Sequence, residues 1–179
     1  MRWSELVAEE PRLADLGQQR LTEPGVVLVG TIRHDGTPRI SPVEPLLWKG
    51  ELWLSMLLGS RKAADLQRDP RVLVHSIVTG RDGGPGEYKV RGRAIEEPTR
   101  TVQESYAEQV RDRIGWDPLP GQFHLFRVDI DDVTFIRYDD ASGDQFVTRW
   151  PDKREFVRRG TSATALGDPE PHSELLAGP

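Results

Sequence analysis

The stretch LWLSMLLGSRKAADLQRDPRVLVHS, residues 52–76, joins two apolar segments through a short polar one, and the fold turns on its pattern. Leu52, Leu54 and Met56 alternate with Trp53 and Ser55, which is the period of a strand. Gly59 breaks the run, Ser60 is a good N-cap, and a helix over 60–68 stops at Asp69-Pro70. A second apolar strand spans 71–78. The arrangement sets Arg61 and Lys62 in the first turn of the helix, where unpaired N–H groups favour an anion. The helix dipole disfavours cations there by up to about 1 kcal/mol, so two together call for a negative ligand. The competing account is a capped surface helix with solvated charges, and spacing alone does not separate the two.

Outward from this unit, residues 3–21 read as two short helices broken at Pro11, and Val26–Ile32 as a strand covered on both faces. Asp35-Gly36 signals a hairpin into a strand from Pro38 to Trp48. Pro42 and Pro45 cannot donate to a ladder, so an edge, a bulge or exposed backbone is expected there. Downstream, RDGGPGE is a loop, and Tyr88–Ile95 is a strand with Tyr88, Val90, Gly92 and Ala94 on one face and Lys89, Arg91 and Arg93 on the other. Thr101 and Glu104 have capping-box spacing, followed by a stripe of Val102, Tyr106, Val110 and Ile114. A long strand from Phe123 to Tyr138 carries a bulge or corner at Asp129–Asp132, and a hairpin follows around Pro151-Asp152-Lys153. Residues 161–179 look like a tail after a domain spanning 1–160. About seven strands with helices inserted irregularly favour a mainly β, small antiparallel barrel over a doubly wound α/β sheet.

The 179 residues suit one domain, which buries roughly 70% of its unfolded surface and needs no disulfide or metal. Cysteine is absent, MRWSELVAEEPRL does not resemble a secretion signal, and no stretch is long enough to span a bilayer. A soluble cytoplasmic protein is expected, with no membrane partner. A net charge of −5 argues against nucleic acid, which a basic surface would recognise.

Arg39 and Ser41 share a strand face at i, i+2 and can converge on one ligand, although an exposed edge strand would look the same. His34, His75, His124 and His172 lack metal-ligand spacing, so no metal is expected. Nucleophile elbow, Walker loop and dinucleotide fingerprint are all missing, which leaves hydrolase, nucleotidase and Rossmann assignments without support. Trp150, ahead of a turn, offers a stacking surface, against the commoner role of a core tryptophan.

Taken in order, TIRHDGTPRISPVEPLLWKGELWLSM, GSRKAADLQRDPRVLVHS and EYKVRGRAIEE resemble the pyridoxamine 5′-phosphate oxidase-like flavin-binding split-barrel superfamily. The resemblance implies an antiparallel six-stranded split β-barrel that dimerises, with FMN sites at the subunit interface. By position, Arg61 and Lys62 would bind the FMN phosphate and Ser60 would cap their helix. Arg39, Ile40, Ser41, Pro42, Val43 and Glu44 would line the flavin, with Arg39 also helping at the phosphate. Ser55 and Met56 would pack on the ribityl chain or ring, and Trp150 from the other subunit would close the site.

Two departures bear on activity. The Arg-x-His that grips substrate in true pyridoxamine phosphate oxidases is replaced by REFVRRG, and a flavin-contacting Gln is replaced near Glu87. The resemblance therefore implies a flavin-dependent oxidoreductase acting on an unidentified small molecule, not vitamin B6 oxidation. The same scaffold hosts deazaflavin F420-dependent reductases, haem-associated members and non-catalytic binders or sensors. For F420, Lys89, Arg91 and Arg93 are candidates to line the exit of its acidic tail. No side chain stands out as a catalytic acid or base.

Overall fold

The computed structural model of the protein describes residues 1–80 and 83–176. Arg81 and Asp82 of the expected RDGGPGE loop, and 177–179 of the expected tail, lie outside them. Among the described residues, four helices punctuate ten strands: α1 Trp3–Glu9, α2 Pro11–Thr22, β1 Val27–Ile32, β2 Pro38–Val43, β3 Pro45–Trp48, β4 Glu51–Leu57, α3 Arg61–Arg68, β5 Arg71–His75, β6 Glu87–Glu96, α4 Arg100–Ile114, β7 Phe123–Tyr138, β8 Gln145–Trp150, β9 Arg154–Ser162 and β10 Ala165–Pro171.

All pairings are antiparallel, and the sheet forks on β7. One edge of β7 pairs β6 along nearly its whole length, with a register shift opposite Arg91/Gly92 that places the expected bulge among the acidic residues. On the other edge its first half pairs β4, from Leu57↔Phe123 to Trp53↔Arg127, and its second half pairs β8, from Val133↔Trp150 to Tyr138↔Gln145. The branch through β4 and β3 bends back toward β2, and chain continuity at Glu44 closes the barrel. Counting β2 and β3 as one wall, this is a six-stranded split β-barrel.

The single strand expected over 38–48 is thus two, because the chain changes partner at Glu44: β2 pairs β1, and β3 pairs β4. Pro42 and Pro45 flank the change, where their missing donors cost nothing. Val27–Ile32 alternates between buried and half-buried residues, so its second face is less covered than its apolar composition suggested. α4 starts after Thr99, whose side chain makes no capping bond, so Thr101 and Glu104 lie inside the helix and form no capping box.

Tail is the wrong description of 161–176. β9 continues to Ser162, and β10 pairs back on it from Ala165↔Ser162 to Pro171↔Phe156. The physical reason sits mainly in Glu155. Its carboxylate accepts the N–H groups of Glu174, Leu175 and Leu176 at 3.0, 2.8 and 3.1 Å and the Thr148 hydroxyl at 3.0 Å, and Leu176 enters the main core.

Two cores result. The barrel interior holds Leu52, Leu54 and Met56 with Val27, Val29, Val74, Tyr88, Val90 and Phe126. The opposite face of β4 sends Trp53 under α4, against Tyr106, Val110, Phe123 and Leu125. β4 is therefore buried on both faces, which fixes the groove between the two cores.

Candidate functional site

Where β2 leaves the sheet, a groove of about 510 Å³ opens. The barrel supplies Pro42, Glu44, Pro45, Leu46, Ser55, Met56 and Leu57; α3 supplies Lys62; α4 supplies Tyr106, Val110 and Arg113; Thr22, Gly25 and Trp116 complete the rim. Its volume falls within the range of small-molecule and cofactor sites.

The cationic end is built as its sequence suggests. Gly59 takes φ +72°, a left-handed conformation that turns β4 sharply into α3 and that a side chain would resist. Ser60 is the N-cap, its Oγ accepting from the Ala63 N–H at 3.4 Å. Arg61 projects into solvent, while Lys62 reaches across and donates to the Pro42 carbonyl at 3.2 Å.

Arg39 and Ser41 lie on the opposite face of β2 from Pro42 and do not line the groove. Arg39 Nε donates to Asp65 Oδ2 at 2.7 Å, and the Thr31 hydroxyl donates to the same oxygen at 3.0 Å. Asp65 is only 4% exposed; burial would raise its pKa, but these bonds and the neighbouring Arg68 hold it below the ordinary aspartate range. Val43 points into the barrel core, and Ile40 points outward at 71% exposure.

Trp150 is likewise elsewhere. The indole is 5% exposed within its own barrel core, and its Nε1 donates to Glu9 Oε2 at 3.2 Å. Lys153 in the following turn pairs with the fully buried Glu10 at 3.0 Å, pinning β8–β9 to the α1–α2 junction. The expected closing aromatic therefore has almost no face to offer another subunit. Of the twelve candidates, the structure brings Pro42, Glu44, Ser55, Met56 and Lys62 together in the groove, with Ser60 and Arg61 at the adjoining helix end.

The α4 wall was missed. Tyr106 and Val110 had the spacing of a packing stripe, and they do pack; the same stripe also borders the groove. Tyr106 is buried and shares a hydrogen bond with Ser55, and burial pushes its hydroxyl up to about 12, so it stays protonated at neutral pH. Trp116 sits edge-on to Phe123 at 5.9 Å. Nothing in the sequence marked Thr22 or Gly25. Among the described residues, no three His, Asp or Glu side chains gather as a metal site.

Barrel, fork and groove define a protein of the split-barrel class. The chain belongs to the pyridoxamine 5′-phosphate oxidase-like family: the family model for pyridoxamine 5′-phosphate oxidase matches residues 13–137. Among solved structures, the chain is similar to a NimC/NimA family protein from Clostridium acetobutylicum, with TM-score 0.62, 16% identity, and 81% of this chain and 97% of that one covered. It is also similar to an F420 reductase, with TM-score 0.52, 19% identity, and 65% and 94% covered. A heme binding protein from Mycobacterium smegmatis matches with TM-score 0.53, 16% identity, and 74% and 57% covered. Comparison with curated protein sequences finds no match. At these identities the structural likenesses speak for the fold alone.

Proposed function

We propose that this protein is a homodimeric, cytoplasmic FMN-binding oxidoreductase acting on a small molecule. The observation that carries the reading is the groove's polarity: Lys62 and the N-terminus of α3 at one end, with Met56, Leu46, Tyr106 and Trp116 along its walls. A phosphate monoester suits the first and a planar ring the second. Bound FMN would supply the electron or hydride transfer. The chain's part is to hold the phosphate with Arg61, Lys62 and the capped α3 turn, to shape the ring chamber, and to present Ser55 and Glu44 to bound groups. No acid or base is assigned.

Dimerisation is supported by an exposed sheet face on β2, β1 and β5, where Ile40 is 71% and Leu73 40% exposed, both in register with Gly30. Cytoplasmic residence agrees with the absence of cysteine; among the described residues, no helix is long and apolar enough to cross a membrane.

F420 is the second reading, favoured by the fold's likeness to an F420 reductase. Its proposed basic exit is partly neutralised, since Lys89 pairs with Glu87 at 2.7 Å and Arg91 pairs with Asp132. That weighs toward FMN. Titration of the purified protein with FMN and F420 side by side tests the choice. The reading expects FMN to bind with a perturbed flavin spectrum, and Arg61→Ala to weaken it at least tenfold. Binding of F420 alone overturns it, as does binding of neither. FMN binding without turnover, when nicotinamide donors and electron acceptors are supplied, leaves a carrier or sensor in place of an enzyme.

A further inference from the structure

We propose that Asp65 is the positioning residue of the phosphate end, and that Arg39 serves it as a latch instead of serving as a phosphate ligand. The inference rests on the FMN reading and adds a division of labour among its cations. Asp65 lies mid-helix in α3, nearly inaccessible to solvent, and its carboxylate is shared by three elements. Thr31 of β1 and Arg39 of β2 both bond Oδ2, at 3.0 and 2.7 Å, while Arg68 of α3 stands 3.5 Å from Oδ1. Arg68 also donates to the Ile32 carbonyl, which ties the same helix again to the end of β1.

A buried carboxylate bonded by several donors resists rearrangement, because breaking one contact leaves charge stranded away from water. The network therefore holds α3 to the β1–β2 hairpin. The groove is bounded by both: β2 presents Pro42, with Glu44 just past its end, and α3 presents Lys62. A shift of α3 along β2 would carry Ser60, Arg61 and Lys62 away from the anion they are placed to meet. Arg39 points to the other side of β2, with its Nε committed to Asp65. Its positive charge balances the buried carboxylate, and phosphate recognition is left to the first turn of α3.

The test compares FMN with riboflavin, which lacks the phosphate, in equilibrium titrations of the full chain. Asp65→Asn and Arg39→Lys are each expected to weaken FMN tenfold or more while riboflavin changes less than twofold, and the double variant should be no worse than either single one. If Arg39 is itself a phosphate ligand, Asp65→Asn releases it and FMN affinity holds or rises, which overturns the proposal. Equal losses for the two flavins also overturn it, because they mark general damage. Thr31→Val removes one donor and keeps the ion pair, and a smaller selective loss is expected should Asp65→Asn fold poorly. Should the wild type bind neither flavin, the FMN reading fails. Hydrogen exchange then decides the latch alone: faster exchange confined to Ala63–Leu66 in Asp65→Asn supports it, and unchanged exchange refutes it.

Discussion

Arg61 carries opposite consequences for stability and for binding. In the first turn of α3 its charge meets the positive end of the helix dipole with no carboxylate beside it in that turn, a local cost of about 0.3–1 kcal/mol. Arg61→Ala should therefore raise the urea midpoint of the ligand-free protein slightly, while weakening FMN as stated above. A lower midpoint in the absence of ligand would show that Arg61 is structural and remove the strain argument. Tyr106 offers a second check, one that requires no ligand. Its hydroxyl is buried on Ser55, so it should ionise near pH 12 in an absorbance titration near 295 nm. Tyr106→Phe should remove the phase near pH 12 and cost about 1 kcal/mol of stability, the usual worth of one hydrogen bond.

At the scale of the element, the α2 contact with the barrel depends on a missing side chain. A Cβ on Gly17 would stand 2.3 Å from Tyr88 Cζ, and Tyr88 is fully buried with its hydroxyl donating to the Leu13 carbonyl at 3.1 Å. Alanine adds about 1 kcal/mol of helix propensity. Overpacking costs about 1–3 kcal/mol, and a ring anchored at its tip has little room to yield. Gly17→Ala should therefore destabilise by up to about 2 kcal/mol net, measured by denaturant unfolding.

The closing segment depends on Glu155. Burial raises its pKa, but the N–H groups of Glu174, Leu175 and Leu176 with the Thr148 hydroxyl outweigh this, and the carboxyl lies below its ordinary 4.5. A lowered pKa stabilises above the unfolded value. The anchor should therefore be complete above about pH 4.5 and weaken as the pH falls through the lower folded value. Glu155→Gln should loosen the segment at neutral pH, seen as early proteolytic cleavage after Pro171 with the barrel intact. Cleavage as slow as in wild type would show that β10 pairing suffices.

These two elements mark what was legible in the sequence. Apolar alternation announced β4 to β7, and Gly59-Ser60 announced the start of α3, because both are local rules. The small, Pro- and Gly-rich 161–176 has no such pattern, and its order comes from a carboxylate on a neighbouring strand. Trp150 was open to either role from sequence, and Glu9 settles it from 141 residues away.

For the whole molecule, the fork in the sheet decides how two copies could meet. The branch through β8–β10 extends one side of the barrel, whereas β2 at the other end of the strand order pairs only β1 among the described residues. An unpaired edge beside an exposed apolar face invites another chain unless covered. Around Gly30 that face is a shallow trough flanked by Ile40 and Leu73, with few charges on β1 or β2 to oppose association. The groove uses the same β2 strand through Pro42, so a partner seated on Ile40 would lie two residues from the site along the strand. Self-association and cofactor uptake should accordingly fall together. Ile40→Glu places a charge at the centre of the face, yet disturbs no intramolecular packing, since the side chain is largely in solvent. The wild type is expected to run as a dimer in light scattering at micromolar concentration. The variant should be a folded monomer with an unchanged unfolding midpoint at low protein concentration and weaker FMN binding. A wild-type monomer would overturn the dimer itself, and a variant that stays dimeric would place the interface elsewhere. A monomeric variant with undiminished FMN affinity would show instead that each barrel completes its own groove.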